Sequence, residues 1–405
     1  MADGGVGAGS RFHLQGQSVP RLSALDLLRA IAIVWVMVFH SYLAGYMGGG
    51  VLRWSGWMGV DLFFALSGFL IGCQVFAPLA AGRRVDFVDF YLRRSFRTLP
   101  AYFVVLAVYV AWPAAREASG MMPLWQFLTY TLNLFIDPGR SAFSHAWSLC
   151  VEEQFYVLFP LLAVVLAWRG HWRRTALVMA LLVAGGMALR AVLWMHGLQP
   201  VLARGGDAGG TYLRLLYYPT YVRLDDLLAG VALAAMRCYG TRGWAWVQRR
   251  PDLVAAFGVL LAAVCMLGFD GHRFSFVGNV FGYPFLALAM MALVAAAATG
   301  RGMLSRLHVP GAGWLARASY SLYLSHKMVY GALHAHFGAW VDGHGIGTVL
   351  IYAVAVLVVG AALHYAVERP FLRLRERVRR KRMSRRLPAD GAEVRMPVGE
   401  GAMPG

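Results

Sequence analysis

The sequence predicts an all-α polytopic membrane protein. Hydrophobic residues make up 59% of its 405 positions and charged residues only 14%, whereas soluble domains carry about 25% charged residues. Stretches of about 18 or more mostly apolar residues recur along the chain, and each is long enough to cross a hydrocarbon core of about 30 Å. These two observations exclude an ordinary soluble enzyme.

Ten transmembrane helices are predicted from the apolar stretches. They lie near residues 24–46, 58–78, 99–115, 145–168, 175–196, 215–236, 251–269, 275–299, 318–337 and 346–368. Of the 38 Lys and Arg residues, 28 lie in the N-terminal tail and alternate connecting segments, and 6 lie in the opposite loops. Because cytoplasmic loops carry the excess of Lys and Arg, we expect both termini to be cytoplasmic.

The net charge of +18 raises the alternative of a nucleic-acid partner. Loop asymmetry and the anionic surface of a membrane explain this charge without nucleic acid, so the expected partner is a lipid bilayer. The basic run within 373–405 directly follows a membrane helix. It is therefore more typical of a juxtamembrane anchor than of a nucleic-acid patch.

The chain divides into three predicted parts. Residues 1–20 and the end of 373–405 are rich in Gly or Pro and lack an apolar core, so we predict disordered cytoplasmic tails there. Residues 21–372 form the membrane domain, and no cleavable signal peptide is expected. The four cysteines have no regular spacing, which predicts neither a disulfide framework nor a zinc site.

The first predicted helix contains the stretch LDLLRAIAIVWVMVFH, with Arg29 near one end and His40 at the other. Eleven residues at 100° each turn about 20° past three full turns, so both side chains point the same way, about 16 Å apart along the helix. A helix cap and a satisfied core histidine are the plain alternative. Because ionisable residues inside a membrane are costly, both are functional candidates.

Asp61 lies near the outer end of the second predicted helix, at a depth similar to that of His40 on the first. A carboxylate beside an imidazole orients its tautomer and raises its basicity, which suits general-base catalysis. A buried structural pair is the alternative.

The fourth predicted helix begins HAWSLCVEEQFYVLFP. Glu152 and Glu153 are adjacent and point about 100° apart, so at most one readily faces a common cavity. Ser148 lies four residues before Glu152 and shares its face.

Two further helices carry polar candidates. In the sixth, YVRLDDLLAG, we expect Arg223 to neutralise Asp226 or Asp225, with a purely structural ion pair as the alternative. In the ninth, SYSLYLSHK includes Ser321 and His326, although hydroxyls in membrane helices often bond only to backbone carbonyls.

The segment 86–103, DFVDFYLRRSFRTLPAYF, predicts an amphipathic helix on the cytoplasmic surface. A headgroup anchor is the plain interpretation. Arg94 and Arg97, three residues apart, project on one side, and guanidinium groups bind phosphate through two parallel hydrogen bonds. They could therefore hold a phosphorylated co-substrate.

Six short motifs follow one another along residues 20–372. They are the Arg29 and His40 pattern, GVDLFFALSGFLI, FYLRRSFRTLPAY with its Arg-x-x-Arg, WSLCVEEQFY, SYSLYLSH, and the terminal ERPF. In this order they resemble membrane-bound acyltransferase family 3, which acylates bacterial surface polysaccharides, lipopolysaccharide, Nod factors and some macrolides. The chain departs from the family pattern at Ser325 and Lys327. The hydrolase-like domain of some longer members is not expected here.

The resemblance implies an integral O-acyltransferase (EC 2.3.1 type) of the bacterial inner membrane. It implies an acyl-CoA co-substrate, with acetyl-CoA expected, bound from the cytoplasm. The implied acceptor is a hydroxyl of an extracytoplasmic glycan or glycolipid, such as exopolysaccharide or O-antigen. No metal and no permanently bound cofactor are expected.

The resemblance also implies roles for the candidate residues. CoA phosphates would bind Arg94, Arg97 and Arg29, and His40, oriented by Asp61, would deprotonate the acceptor hydroxyl. A covalent acyl-histidine stays open. Glu152 completes the catalytic candidates, and the acceptor-binding candidates are Ser148, Glu153, Arg223, Asp226, Ser321 and His326.

Two alternatives stay open. Intramembrane Arg, His, Asp and Glu also line ion paths, so a transporter without transfer chemistry is one of them; it predicts paired broken helices, which the sequence does not indicate. The other is a small-molecule acceptor such as a macrolide.

Overall fold

Helices joined by short turns make up the described part of the chain, which in this computed structural model is residues 23–45, 50–137, 141–167, 172–269 and 272–384. No strand occurs in these ranges. The predicted tail at 1–20 and the chain after residue 384 lie outside them. The α-helices are α1 Ser23–Leu43, α2 Val51–Trp54, α3 Met58–Ala80, α4 Phe87–Ala111, α5 Leu124–Leu128, α6 Leu132–Phe135, α7 Ala146–Ala167, α8 Trp172–Leu193, α9 Gln199–Ala203, α10 Ala208–Tyr212, α11 Asp225–Cys238, α12 Arg242–Arg249, α13 Pro251–Phe269, α14 Tyr283–Ala298, α15 Met303–Arg306, α16 Ala312–Val341, α17 Ile346–Leu363 and α18 Arg369–Ser384.

Seven helical stretches within the described residues are long and apolar enough to cross a membrane. They are Ser23–Leu43, Val51–Ala80, Ala146–Val164, Leu177–Ala203, Pro251–Phe269, Gly278–Ala298 and Ile346–Arg382. They confirm the polytopic all-α membrane protein. The three other predicted spans fall on α4, α11 and α16, which are too short or too polar to be counted by composition. The total of ten spans and the cytoplasmic termini stay predictions.

Helix α4 joins two features that the sequence analysis separated. The amphipathic segment within 86–103 and the predicted span 99–115 are one continuous helix. Asp86 caps it by accepting a hydrogen bond from the backbone N–H of Asp89 at 3.0 Å, which satisfies one donor of the first turn. The arginines in its first half are therefore carried by the same rigid element as its apolar second half.

The predicted span 215–236 is wrong as a continuous helix. Leu213–Tyr217 form a π-helical turn, Thr220–Val222 form a 3₁₀ turn, and α11 begins only at Asp225. Pro219 lies in the break, and proline cannot donate the backbone hydrogen bond that a continuing helix needs.

The helical structure continues into the predicted C-terminal tail. A π-helical turn at His364–Glu368 leads directly into α18, so the predicted domain boundary at residue 372 falls inside a helix. α18 packs against α4, where Arg379 Nε lies 2.5 Å from Asp89 Oδ1. Partial burial raises the pKa of Asp89, but hydrogen bonds from Arg379 and Arg93 outweigh it and hold this pKa below its ordinary value.

Two glycines allow α3 and α11 to cross in backbone contact. A Cβ atom on Gly68 would lie 2.1 Å from the carbonyl oxygen of Leu227, and one on Gly230 would lie 2.2 Å from that of Ala65. Small residues permit such close approach of membrane helices. The crossing brings the acidic start of α11 beside the start of α3.

Helix α1 packs against both α3 and α16. This arrangement places the face that carries Arg29 and His40 toward the interior of the helix assembly. The site is built around it.

Candidate active site

Two cavities lie at opposite ends of α1. The arginine cavity has a volume of about 620 Å³ and includes Arg29 in its wall. The histidine cavity has a volume of about 630 Å³ and includes His40. The eleven residues between these two side chains span about 16 Å of helix. Val60 and Tyr323 belong to both walls, and we call this shared wall the neck.

The arginine cavity brings the three predicted phosphate-binding residues together. Its wall carries Arg29, Arg93, Arg94, Arg97, Arg237, Arg375 and Arg379. Four of these are additions to the prediction, and two come from α18, a segment in which the sequence predicted only a basic tail. Glu152 and Glu376 are the acidic residues in this wall, so the described lining is strongly cationic.

Arg94 is held firmly in this wall. Its guanidinium carbon lies 3.9 Å from the ring centroid of Tyr156, and its buried Nε has no hydrogen-bond partner. A cation fixed over an aromatic face with an unsatisfied donor is suited to an incoming anion.

Glu152 lies in the arginine cavity and not beside His40. Its Oε1 accepts a hydrogen bond from Ser67 Oγ at 2.6 Å. Glu153 lies close to Arg94 and Thr98, two residues of the same wall. The structure therefore separates both glutamates from the predicted base, and Glu153 is not part of either cavity wall.

Three histidine rings meet at the histidine cavity: His40 and His145 belong to its wall, whereas the buried His326 packs against both without lining it. The rings of His40 and His326 are 4.9 Å apart, and that of His145 lies 5.0 Å from His326 and 6.3 Å from His40. Each comes from a different segment: His40 from α1, His145 from the residue before α7, and His326 from α16. His145 was not among the predicted site residues, although it is the first residue of the segment HAWSLCVEEQFY.

The hydrogen bonds of His326 fix the tautomer of His40. His326 Nδ1 faces the carbonyl oxygens of Tyr323 at 2.8 Å and Leu322 at 3.2 Å. Because carbonyls only accept, this nitrogen carries a proton, and the neutral ring must then accept at Nε2. His40 Nδ1 lies 2.7 Å from that Nε2, so His40 donates through Nδ1 and its Nε2 keeps a lone pair.

Lys327 supplies a cation to the same cavity. Its Nζ donates to Ser144 Oγ at 2.7 Å and forms a salt bridge with Glu117 Oε1 at 3.1 Å. The position at which this chain departs from the family pattern therefore lies in the cavity wall. Glu117 was not predicted, because it precedes α5 in a loop without a recognisable motif.

Asp61 does not contact His40, contrary to the predicted pair. It is fully buried, and its Oδ1 accepts a hydrogen bond from Arg223 Nη2 at 2.6 Å. Asp61 and His40 were predicted to pair because they lie at similar depth on neighbouring helices. The buried guanidinium of Arg223, in the segment before α11, needs a counter-charge more than the neutral imidazole of His40 does, and it therefore pairs with Asp61.

The expected neutralisation of Arg223 is corrected for Asp225, while Asp226 does lie close enough to interact with Arg223. Asp225 binds Arg190 on α8, with distances of 2.5 and 3.0 Å between the two pairs of atoms. Asp226 is buried beside Asp61 and Arg223. The predicted acceptor-binding residues Arg223 and Asp226 thus form a buried ionic group and lie in neither cavity wall.

Ser148 and Ser321 have different surroundings. Ser148 Oγ lies 2.6 Å from the hydroxyl of Tyr323, next to the neck. Ser321 is fully buried and donates to Glu368 at 2.7 Å, and Glu368 also contacts His364 at 2.9 Å. Ser321 therefore ties α16 to the ERPF motif and has no access to an acceptor.

Comparison of the sequence with known proteins identifies its family. A family model described as an acyltransferase domain matches residues 22–365. The chain is 29% identical over 328 residues to YrhL of Bacillus subtilis (strain 168), which covers 76% of this chain and 48% of that protein.

Two further relatives have names that describe an activity. The peptidoglycan O-acetyltransferase OatA of Listeria monocytogenes is 26% identical over 321 residues, 75% of this chain and 48% of its own length. The O-acetyltransferase OatA of Staphylococcus aureus is 24% identical over 352 residues, 80% of this chain and 53% of its own. The chain thus spans about half the length of the relatives it matches. No solved structure matches it.

Proposed function

Because the chain belongs to the acyltransferase domain family that it matches over residues 22–365, we propose that it is an O-acyltransferase of a bacterial cytoplasmic membrane. The family match confirms the resemblance drawn from the motifs. The protein transfers an acyl group, acetyl first of all, from cytoplasmic acyl-CoA to a hydroxyl of a glycan on the opposite side.

One observation carries the proposal: two cavities at opposite ends of α1, one rich in arginine and one that contains His40, meet at the neck formed by Val60 and Tyr323. A donor and an acceptor that enter from opposite sides can meet there. The distance of about 16 Å along α1 suits an extended thiol-bearing arm of a nucleotide anchored at one end.

The arginine cavity suits the donor. The diphosphate and the ribose phosphate of CoA carry several negative charges, and arginine forks pair with phosphate oxygens. Arg94 and Arg97 on α4 would hold these groups, with Arg29 on the face of α1 that leads toward His40. The α18 residues Arg375 and Arg379 close the wall.

His40 supplies the chemistry in this proposal. Its Nε2 takes the proton of the acceptor hydroxyl as the oxygen attacks the thioester carbonyl carbon. The carbon–sulfur bond then breaks, and the leaving CoA thiolate receives the proton from His40. His326 acts as a positioning residue, since it accepts the hydrogen bond of His40 Nδ1 at 2.7 Å and so strengthens the base.

The proposed acceptor is a surface glycan. The names of the OatA relatives support it, and peptidoglycan is the first glycan to test. Tyr217, Tyr218 and Trp147 line the histidine cavity, and aromatic side chains beside a few polar groups are typical of sites for small organic ligands.

Transport without chemistry remains the competing function. The break between Leu213 and Asp225 is a feature that transporters also use at their binding sites. The His326–His40 hydrogen bond favours catalysis, because a base with a fixed tautomer serves proton transfer at one atom.

The deciding experiment incubates the purified protein with acetyl-CoA labelled in the acetyl group and with peptidoglycan fragments. We expect labelled ester on the glycan, detected by mass spectrometry, from the wild type and from His336→Ala. His336 is an exposed histidine on α16 outside both cavity walls. His40→Ala should lose transfer while it still binds CoA. Substantial ester formation by His40→Ala would refute the role of the base.

A further inference from the structure

Arg273 is a cation in the wall of the histidine cavity, between α13 and α14. Its guanidinium carbon lies 5.1 Å from the ring centroids of Trp57 and Tyr212 and 5.2 Å from that of Tyr217. Its Nε donates to the Tyr212 hydroxyl at 3.3 Å. These contacts fix the plane of the guanidinium group, yet all three partners are neutral.

No carboxylate neutralises Arg273 in the part of the chain that the structure describes. Its side chain contacts the aromatic rings and the Tyr212 hydroxyl. The carboxylate of Asp61 forms its salt bridge with Arg223 and not with Arg273. Arg273 is half-buried, so part of its hydration is lost, and an anion that joins it would compensate for this cost.

Arg116 is a second such cation in the same wall. Its Nε donates to the backbone carbonyl of Tyr109 at 2.7 Å and its Nη2 to that of Val110 at 3.3 Å. Among the described residues of this wall, the acidic one is Glu117, and Lys327 already pairs with it. The cavity therefore carries an excess of positive charge.

We propose that the acceptor carries an acidic oxygen group, a carboxylate or a phosphate, and that Arg273 binds it. The proposal rests on the proposed acyltransferase function and specifies its acceptor. The guanidinium fork offers two parallel hydrogen bonds to such a group, while Arg116 adds to the attracting field. The acceptor hydroxyl would then face His40 across the same cavity.

The test uses one oligosaccharide in three forms: with a uronic acid carboxylate, with that carboxyl reduced to a neutral alcohol, and with a phosphate monoester instead. Acetyl transfer to each is measured for the wild type, Arg273→Gln and Arg204→Gln. Arg204 is an exposed arginine outside the cavity wall, so its variant removes the same charge elsewhere.

We expect Arg273→Gln to raise KM by about tenfold or more for the acidic forms, the loss of one charged hydrogen bond. The neutral form and acetyl-CoA should keep their KM values, and Arg204→Gln should match the wild type. A preference for the carboxylate or for the phosphate form identifies the group. Equal KM changes for the acidic and neutral forms would overturn the proposal.

Calorimetric binding of the three oligosaccharides, without acetyl-CoA, separates this proposal from the function itself. If the wild type binds the acidic forms and transfers to none, the proposed function fails and the Arg273 site stands. If the wild type binds the neutral form as tightly as the acidic ones, the Arg273 site is wrong even when transfer occurs. Arg273→Lys, which keeps the charge without the fork, should retain part of the preference if Arg273→Gln does not fold.

Discussion

His326 Nε2 lies 2.7 Å from His40 Nδ1, and its own Nδ1 is held by backbone carbonyls of the same helix. Helix α16, with its SYSLYLSH motif, thus provides the Nε2 atom of His326 as a hydrogen-bond acceptor for His40 of α1. The partner that orients His40 is another imidazole and not a carboxylate. In consequence, protonation of His40 is supported by a hydrogen bond and not by a neighbouring negative charge.

His326→Ala should lower kcat for acetyl transfer by about 10²-fold or more, because His40 loses the acceptor that fixes its tautomer. The KM for acetyl-CoA should stay unchanged, since His326 does not line the arginine cavity. His326→Gln should restore part of kcat, because an amide oxygen can accept the same hydrogen bond. Steady-state kinetics with a pH–rate profile check this. A purely structural histidine would leave the profile unshifted in His326→Ala.

Arg94→Ala with Arg97→Ala should weaken CoA binding at least about tenfold, since each charged hydrogen bond contributes about 1.5–3 kcal/mol and 1.4 kcal/mol is a factor of ten. Arg83→Ala with Arg84→Ala is the matched control, because both residues are exposed, outside the cavity wall, and just before α4. Calorimetric titration with CoA should show loss in the first pair alone. A headgroup-anchor role predicts similar defects in membrane insertion for both pairs and wild-type CoA affinity in the first.

Arg223→Gln should lower the thermal unfolding temperature strongly, since removing one partner of a buried ion pair costs about 3–5 kcal/mol. Asp61→Asn should cost less, because Asp226 still lies beside Arg223 as a counter-charge. Scanning fluorimetry of the detergent-solubilised variants measures both. The folded Asp61→Asn protein should keep the pH–rate profile of the wild type. A shifted profile would restore Asp61 as the partner of His40.

Val60→Phe should reduce acetyl transfer while CoA binding stays intact, because the larger side chain narrows the opening between the two cavities at the neck. Val104→Phe is the matched control, since Val104 is an exposed apolar residue on α4. Single-turnover kinetics together with calorimetry distinguish blocked passage from lost donor binding. Normal transfer by Val60→Phe would mean that the donor arm does not pass the neck.

The sequence predicted those features that depend on local pattern. Apolar length gave seven of the spans, and helical spacing gave the common face of Arg29 and His40. The Arg-x-x-Arg spacing of Arg94 and Arg97 placed both in one cavity wall. These are properties of a single helix, and periodicity describes a single helix well.

The partners of buried charges could not be predicted in the same way. Asp61 forms its salt bridge with Arg223 and not with His40, and Asp225 pairs with Arg190 of α8. These pairings depend on how helices distant in the sequence pack against each other. Pro219 is a signal in the sequence for a break in the helix. The sixth span was nevertheless predicted as continuous because of the apolar composition of the segment. Arg273 lies in a loop without a recognisable motif. Its role could not be predicted from the sequence, because its aromatic neighbours come from distant segments of the chain.

The neck has a consequence for the cell as well as for the reaction. Two cavities lie at opposite ends of α1, so the side chains between them are what keeps the membrane insulating at this place. In the proposed function, Val60 and Tyr323 must therefore block protons and small ions while the acyl group of the donor passes between them. A wider opening at the neck would let ions leak and so dissipate the electrochemical gradient across the membrane. The need to keep this gradient therefore restricts the side chains at positions 60 and 323, in addition to the needs of catalysis.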